Sequence, residues 1–282
     1  MTAQIIDGKE VSKVARVKIK KDVDLLKEKN INVGLAVILV GDNPASHVYV
    51  RNKIKACEEV GIISTEKRLS DTTDFEEIKK TIQDLNEDKN IHGILLQLPL
   101  PQHLKDVQED LVQMIAPQKD VDGLTVINAG KLFLGMSDGH VPCTPQGSLH
   151  LIKEIKQDLN GLNAVVIGRS NLFGKPMAQL LLNENCTVTI AHSRTKDLNK
   201  VCAQADILIA AVGREKMVKA DWVKKGAIVI DVGINRMDNG KLCGDVDFDD
   251  VKEISSAITP VPGGVGPMTI TYLLSNTVSA AQ

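Results

Sequence analysis

Four residue types in the first half of the chain could form a polar site. Tyr49 and Lys53 are four residues apart, which places them on one face of a helix, although such a pair on a surface helix usually has no function. Gln97 interrupts an apolar run, and a buried amide needs a hydrogen-bond partner. Asp120 and Asp122 lie in a later loop, and one of them is expected to be only a turn-former.

Parallel strands would bring these residues together. A helical pattern over 9–29 precedes a buried strand at 34–41, and Ser46 or Asp42 is a plausible cap of the helix that follows. A second apolar run covers 91–101 and ends in prolines. Because ligands bind at the carboxyl ends of parallel strands, we expect the tyrosine, the lysine and the amide to meet at one sheet edge.

A second candidate site lies where the apolar run 165–168 ends in a glycine-bounded turn. Gly168 and Gly174 enclose Arg169 and Ser170, and a helix pattern follows. A strand that leads into a helix start presents free N–H groups, and glycine lets a phosphate approach the main chain. The turn therefore indicates a nucleotide site, although many such turns need glycine for backbone reasons alone.

The second half of the chain predicts a parallel sheet. Four apolar runs at 165–168, 187–192, 207–212 and 227–232 read as buried strands separated by helical patterns. The second run is not followed by the acidic residue that binds a ribose hydroxyl. Ser193 and Arg194 stand there, and these side chains suit an added phosphate, so NADP is favoured over NAD unless the arginine belongs only to a solvated loop.

Composition excludes several classes of protein. The 282 residues carry 34 basic and 36 acidic side chains with no long run of one sign, which does not suggest nucleic acid as a partner. No apolar stretch approaches the length of a membrane span, and the sequence start does not resemble a secretion signal, so a cytosolic protein is expected. Five scattered cysteines argue against a disulfide framework and a zinc site, and we expect them to be buried apolar residues.

Taken in order along the chain, the motifs closely resemble those of the bifunctional methylenetetrahydrofolate dehydrogenase/methenyltetrahydrofolate cyclohydrolase family. The resemblance runs from Ile6 to the last helix. The motifs are Tyr49-Val-Arg-Asn-Lys53, Gln97-Leu-Pro-Leu-Pro101, Lys119-Asp-Val-Asp-Gly123, Pro142-Cys-Thr-Pro145, Gly168-Arg-Ser170 and Pro260-Val-Pro-Gly-Gly-Val-Gly-Pro-Met-Thr269.

The resemblance implies a cytosolic homodimer that oxidises methylene-tetrahydrofolate with NADP and hydrolyses the methenyl product to formyl-tetrahydrofolate. Lys53 is then the catalytic lysine, Gln97 its partner, Asp122 the pterin anchor and Tyr49 the ring against the folate. Further implied folate contacts are Leu96, Leu98, Pro262, Gly263, Gly264, Gly266 and Pro267, and those with the cofactor are Gly168, Arg169, Ser170, Ser193, Arg194 and Ile234.

The resemblance also implies an α/β fold of two domains around a cleft, the second with a Rossmann-like parallel sheet. Residues 1–140 would form the folate domain, completed by a C-terminal helix at 267–282, and residues 141–266 the NADP domain. Two departures from the family pattern are Phe173 in the glycine turn and Glu215 where proline is common. Neither removes a catalytic group.

Three other functions share part of this sequence pattern. A short-chain dehydrogenase also uses Tyr-x-x-x-Lys, but its glycine turn precedes that pair, whereas Gly168 follows Lys53 by more than a hundred residues. A monofunctional methylenetetrahydrofolate dehydrogenase would release the methenyl product. A non-catalytic folate-binding protein would keep the fold without turnover.

Overall fold

A computed structural model describes residues 2–282, apart from the side chain of Ala45. The described chain falls into two compact units. The first, here called the Lys53 unit, contains Val14–Cys143 and Ile270–Gln282. The second, the Gly168 unit, contains residues 2–13 and Thr144–Thr269.

Strands and helices alternate along most of the chain. The strands are β1 (Gln4–Ile5), β2 (Gly34–Val40), β3 (Ile63–Leu69), β4 (Gly93–Leu96), β5 (Asn163–Ile167), β6 (Thr187–Ala191), β7 (Ile207–Ala210), β8 (Ile228–Asp231), β9 (Asn235–Arg236), β10 (Leu242–Cys243) and β11 (Ala257–Ile258). The α-helices are α1 (Gly8–Glu28), α2 (Pro44–Val60), α3 (Phe75–Glu87), α4 (Gln108–Gln113), α5 (Val126–Phe133), α6 (Cys143–Ile155), α7 (Gly174–Asn183), α8 (Leu198–Cys202), α9 (Phe248–Val251) and α10 (Val265–Ser279).

The Lys53 unit is built on a three-stranded parallel sheet with the order β3-β2-β4. Every residue of the central strand β2 is buried, because the strand has a neighbour on each side and both of its faces are covered. Leu35, Val37 and Leu39 join one core cluster, which also contains Leu274 of α10. The alternate residues of β2 join a second cluster with α3. The sheet is therefore the middle layer of an α/β/α arrangement.

The Gly168 unit contains a six-stranded sheet with the order β1-β11-β8-β7-β5-β6, and all of its pairings are parallel. A small antiparallel pair, β9 with β10, lies outside it. In this order β5 lies between β6 and β7. The chain therefore passes from β5 to the edge strand β6 and then crosses back over β5 to form β7. A parallel sheet of this kind confirms the Rossmann-like α/β expectation.

Several sequence expectations need correction. The run 187–192 was expected to be buried, yet β6 is largely exposed, because it is an edge strand that pairs only with β5. The cap of α2 is neither Ser46 nor Asp42: the Asn43 side chain accepts a hydrogen bond from the backbone N–H of Ser46 at 3.2 Å. Residues 2–13, placed by sequence in the first domain, group with the Gly168 unit because β1 pairs with β11.

The expectation for the cysteines is met. The five cysteines are free and buried. No helix in residues 2–282 is both long enough and apolar enough to cross a membrane. The chain after residue 269 groups with the Lys53 unit, where Leu273, Leu274 and Val278 pack into the core cluster of that unit.

The C-terminal helix should therefore support the stability of the Lys53 unit. Leu274 is completely buried, and Leu274→Ala should lower the free energy of unfolding by about 2–5 kcal/mol because it leaves a cavity. Urea unfolding measures the loss. Leu134→Ala is the matched control, because that side chain is 72% exposed and its truncation should change stability by less than about 0.5 kcal/mol. Equal losses in the two variants would contradict a structural role for the helix.

Candidate functional site

Helix α2 carries both the predicted tyrosine and the predicted lysine. Tyr49 is 41% exposed, whereas Lys53, one turn further on, is only 8% exposed. The two side chains share a face of the helix, as their spacing requires. A lysine so deeply buried must hydrogen-bond something, because an unpaired buried amine loses the hydrogen bonds that it makes to water.

The partner of the lysine is the predicted amide. Lys53 Nζ donates to Gln97 Oε1 at 2.9 Å, and Gln97 Nε2 donates to the carbonyl of Leu98 at 2.7 Å. The backbone N–H of Gln97 donates to Ile38 O at 2.9 Å, so the residue continues the β2–β4 pairing just past the end of β4. Because the amide NH₂ is already engaged, the amide oxygen faces the lysine.

Burial is the main influence on the proton affinity of this lysine. It lowers the pKa of Lys53 below the ordinary lysine value, because a buried ammonium loses its hydration. The negative charge of Asp122 acts in the opposite direction and favours the charged form. The site thus holds an amine that gives up its proton more readily than a surface lysine does.

The loop after α4 separates the roles of its two aspartates. Asp120 is 1% exposed, and its carboxylate accepts hydrogen bonds from the backbone N–H groups of Leu124 (3.1 Å) and Thr125 (2.7 Å) and from Asn128 Nδ2 (2.9 Å). These bonds fix the loop and the start of α5. The sequence predicts that one of the two aspartates only forms the turn, and these bonds identify it as Asp120. The carboxylate of Asp122 is therefore available for other chemistry.

Asp122 lies close to the lysine. Burial raises the pKa of its carboxyl, and the charge of Lys53 opposes that rise, as does a hydrogen bond with the Cys143 thiol. The loop reaches this position because Ile94 N donates to Lys119 O at 2.7 Å, which extends the sheet beyond β4. The structure thus brings the amine, the amide and the carboxylate together within one unit.

Two residues that support Asp122 were not assigned this role from the sequence. Cys143 Sγ donates to Val121 O at 3.3 Å, and Asn276 Nδ2, on α10, donates to the same oxygen at 2.9 Å and to Val141 O at 3.0 Å. Both bonds hold the peptide just before Asp122. The cysteine lies in a motif that carried the resemblance, but its burial suggested only packing. Nothing local in the sequence links Asn276 to a loop 155 residues earlier.

The other predicted folate residues occupy different places. Leu96 is buried in a core cluster, and Leu98 packs partly against that cluster. Pro262, Gly263, Gly264, Gly266 and Pro267 all belong to the Gly168 unit. Gly263 has a φ of +110°, a conformation that side chains rarely adopt, so this part of the motif has a backbone reason for its glycine.

The glycine turn after β5 is tightly packed and leads into a helix. Gly168 has a φ of +131°, and an added Cβ there would overlap the carbonyl of Ala211. An added Cβ at Gly174 would overlap the carbonyl of Gly168. Both glycines are therefore required by close backbone packing, and the turn opens directly on the N-terminus of α7. A diphosphate group fits such a helix start.

The side chains in the turn differ in their exposure and in their hydrogen bonds. Ser170 Oγ accepts from Phe173 N at 3.2 Å and from Gly174 N at 3.4 Å, so it also supports the turn. Arg169 is exposed, and Phe173 is 6% exposed. The phenylalanine that departs from the family pattern is therefore a packing residue.

The loop after β6 presents the predicted 2′-phosphate residues to solvent. Ser193 and Arg194 are both exposed. The loop is held by its own bonds, from His192 N to Thr195 Oγ1 at 2.9 Å and from Arg194 N to His192 Nδ1 at 3.2 Å. Among residues 2–282, no side chain pairs with the guanidinium of this arginine, which leaves it able to bind a ligand anion.

The last predicted cofactor residue, Ile234, follows β8 and is 49% exposed. Glu215, the second departure from the family pattern, is exposed in the loop after β7. Its side chain therefore does not disturb the core of the Gly168 unit.

Comparison with known proteins agrees with this geometry. Residues 6–122 match the family model of the tetrahydrofolate dehydrogenase/cyclohydrolase catalytic domain, and residues 142–282 match that of its NAD(P)-binding domain. The chain is 56% identical over 279 residues to the bifunctional protein FolD of Listeria innocua, covering 99% of this chain and 97% of that protein.

Solved structures give the same result. The bifunctional enzyme FolD of Campylobacter jejuni superposes with a TM-score of 0.96 at 49% identity, covering 99% of this chain and 98% of that one. The Trypanosoma brucei FolD, solved with NADP and an inhibitor, gives a TM-score of 0.94 at 36% identity, covering 100% of this chain and 98% of that one. This chain therefore belongs to the tetrahydrofolate dehydrogenase/cyclohydrolase family.

Proposed function

We propose that this protein is a bifunctional enzyme that oxidises 5,10-methylenetetrahydrofolate with NADP and then hydrolyses the methenyl product to 10-formyltetrahydrofolate. The observation that carries the proposal is the buried Lys53–Gln97 hydrogen bond beside Asp122. Membership of the family and the full-length similarity to bifunctional FolD proteins support both activities. The short-chain dehydrogenase alternative fails, because its glycine turn would precede Lys53.

Asp122 is the proposed anchor for the pterin ring. The aminopyrimidinone edge of a pterin presents two parallel N–H donors, and a carboxylate accepts such a pair with both oxygens. The thiol of Cys143 and the amide of Asn276 hold the peptide that precedes this carboxylate, which limits its freedom before the ligand arrives. The exposed ring of Tyr49 is available to pack against the folate.

Bound NADP would supply a hydride acceptor for the methylene carbon, and the residues of the chain would contribute binding and alignment to that step. The turn at Gly168 and the start of α7 would hold the diphosphate, with Arg169 and Ser170 at its rim. Ser193 and Arg194 would hold the 2′-phosphate of the adenosine end. The arginine supports the choice of NADP over NAD.

The hydrolytic step requires proton transfer. Water attacks the electrophilic methenyl carbon and loses one proton as the C–O bond forms. The C–N bond then breaks with its electron pair on the nitrogen, which takes up a proton. The hydroxyl proton leaves as the formyl C=O forms, so one proton is released in each turnover. Lys53 suits this exchange, because burial has lowered its pKa and the hydrogen bond that it donates to Gln97 orients the amine. The positive charge of the methenyl folate would lower that pKa further.

Two alternatives make different predictions. A monofunctional dehydrogenase would oxidise the folate without hydrolysing the methenyl product, and a non-catalytic binding protein would do neither. The intact Lys53–Gln97 pair favours the bifunctional enzyme. Hydrolysis of the methenyl substrate in an assay without nicotinamide would exclude the monofunctional dehydrogenase. NADP-dependent turnover of methylene-tetrahydrofolate would exclude the non-catalytic binding protein.

We also propose a homodimer that works in the cytoplasm, without nucleic acid or membrane partners. The family resemblance supports the dimer, and the net charge of −2 gives no electrostatic reason to bind nucleic acid. Sedimentation of the purified protein tests the oligomeric state.

Replacing the lysine should separate binding from hydrolysis. Lys53→Met keeps a long apolar stem but removes the amine, so cyclohydrolase activity should fall by roughly 10²- to 10⁴-fold while folate binding is largely retained. Stopped-flow loss of methenyl absorbance measures the rate, and a folate titration measures binding. Lys55→Met, at an exposed position of the same helix, is the control. An unchanged hydrolysis rate in Lys53→Met would refute the proposed role.

Replacing the arginine should change the choice of cofactor. Arg194→Ala removes a charged partner of the 2′-phosphate, so the Kd for NADP should rise roughly 10- to 100-fold, whereas that for NAD should barely change. Calorimetric titration with each nucleotide gives the comparison. Lys200→Ala is the control for loss of one exposed positive charge nearby in sequence. Equal losses for the two nucleotides in Arg194→Ala would show that the arginine does not contact the phosphate.

A further inference from the structure

Two buried carboxylates in the Gly168 unit have no part in the chemistry proposed above. Asp231 is 3% exposed and Asp245 is 0% exposed. Burying an ionised carboxylate is costly unless hydrogen bonds replace its hydration. Their partners therefore show what the two residues stabilise.

Asp245 binds two loops at once. Its oxygens accept four hydrogen bonds, from the backbone N–H groups of Val212 (2.6 Å), Gly213 (3.0 Å) and Arg214 (2.8 Å) and from the side-chain amide of Asn235 (2.9 Å). The first three belong to the turn after β7, and Asn235 follows β8. Since β7 and β8 are adjacent parallel strands, one carboxylate fixes the two loops that follow the carboxyl ends of these strands.

Asp231 holds the second half of the same arrangement. Its carboxylate accepts from Gly233 N at 3.1 Å, from Asp245 N at 2.9 Å and from Val246 N at 2.9 Å. Its own backbone N–H donates to Thr259 Oγ1 at 2.8 Å. The bond between Asp231 and the backbone of Asp245 joins the two carboxylates into one network.

Glycines allow this network to be so compact. An added Cβ at Gly233 would overlap the carboxyl group of Asp245, and one at Gly244 would overlap that of Asp231. The partners of both carboxylates are N–H donors, so their lone pairs serve the backbone and are not arranged as ligands of a cation. The network is a clamp on the main chain.

The clamp holds the residues on both sides of one exposed residue. Gly233 is bonded to Asp231, Asn235 is bonded to Asp245, and Ile234 between them is 49% exposed. A residue whose two neighbours are tied to buried carboxylates presents its peptide groups in a fixed direction. Preorganised backbone groups bind a ligand without paying for their ordering.

We propose that Asp231, Asp245 and Asn235 are positioning residues that hold the backbone of Ile234 against the carboxamide of the nicotinamide ring. This inference rests on the proposed function and on the contact between the Ile234 backbone and the nicotinamide carboxamide that the family resemblance implies. It assigns the orientation of that contact to the clamp. The clamp acts at the nicotinamide end of the cofactor. It has no part in holding the adenosine end.

Asn235→Ala tests the clamp with the least disturbance. It removes one of the four bonds to Asp245 and leaves the three backbone bonds in place, so the fold should survive. Asn239→Ala is the matched control, since its side chain caps a nearby exposed turn through Lys241 N at 3.0 Å. Two ligands separate the two ends of the site: NADP itself, and adenosine 2′,5′-bisphosphate, which lacks nicotinamide.

We expect Asn235→Ala to raise the Kd for NADP about tenfold and to leave the Kd for adenosine 2′,5′-bisphosphate unchanged. Single-turnover hydride transfer should slow at saturating NADP, because a misaligned nicotinamide reacts poorly. Methenyl hydrolysis without nicotinamide should keep its wild-type rate. Asn235→Asp should show the same pattern more strongly, because it places a second carboxylate beside Asp245.

Two results would overturn the inference. One is an equal loss of affinity for both ligands in Asn235→Ala, which would mean a general structural effect. The other is wild-type NADP affinity together with wild-type hydride transfer. Failure of the proposed function looks different, because the wild-type protein itself would then fail to oxidise methylene-tetrahydrofolate. The two binding measurements need no turnover, so they test the clamp in either case.

Discussion

The hydrogen bond between Lys53 and Gln97 is the interaction on which the candidate active site depends. Inside the protein, an ammonium loses hydration that one amide cannot replace, so burial shifts the lysine toward its neutral form. Asp122 opposes that shift through its charge. The result is an amine that gives up its proton more readily than a surface lysine does.

Buried carboxylates serve this protein in two distinct ways. Asp120 and Asp245 accept hydrogen bonds from several N–H donors of the surrounding loops, so these carboxylates organise the loops. Asp122 instead has the charges of Lys53 and Asp120 and the thiol of Cys143 as its polar neighbours. The type of residue is the same in each case. The number of donors around it decides whether it stabilises the fold or remains available for binding.

The sequence predicted the parts of the molecule whose cause is local. Apolar runs identified β2, β5, β7 and β8, and helical spacing placed Tyr49 and Lys53 on one face of α2. The sequence did not predict features that depend on which elements become neighbours in the fold. The exposure of β6 depends on its place at the edge of the sheet, which strand composition does not reveal. The resemblance to a family, rather than periodicity, supplied the roles of the separate site residues.

The least predictable residues are those that act through another residue's backbone. Asn276 reaches Val121, and Asp245 reaches the turn that begins at Val212; neither contact has a local signal, because each joins elements far apart in the chain. A carboxylate or amide in an apolar stretch does indicate that a partner exists, since an unpaired polar group there is costly. Which partner it has depends on topology. Polar residues that interrupt buried runs are therefore good candidates for supporting roles, even when no ligand contacts them.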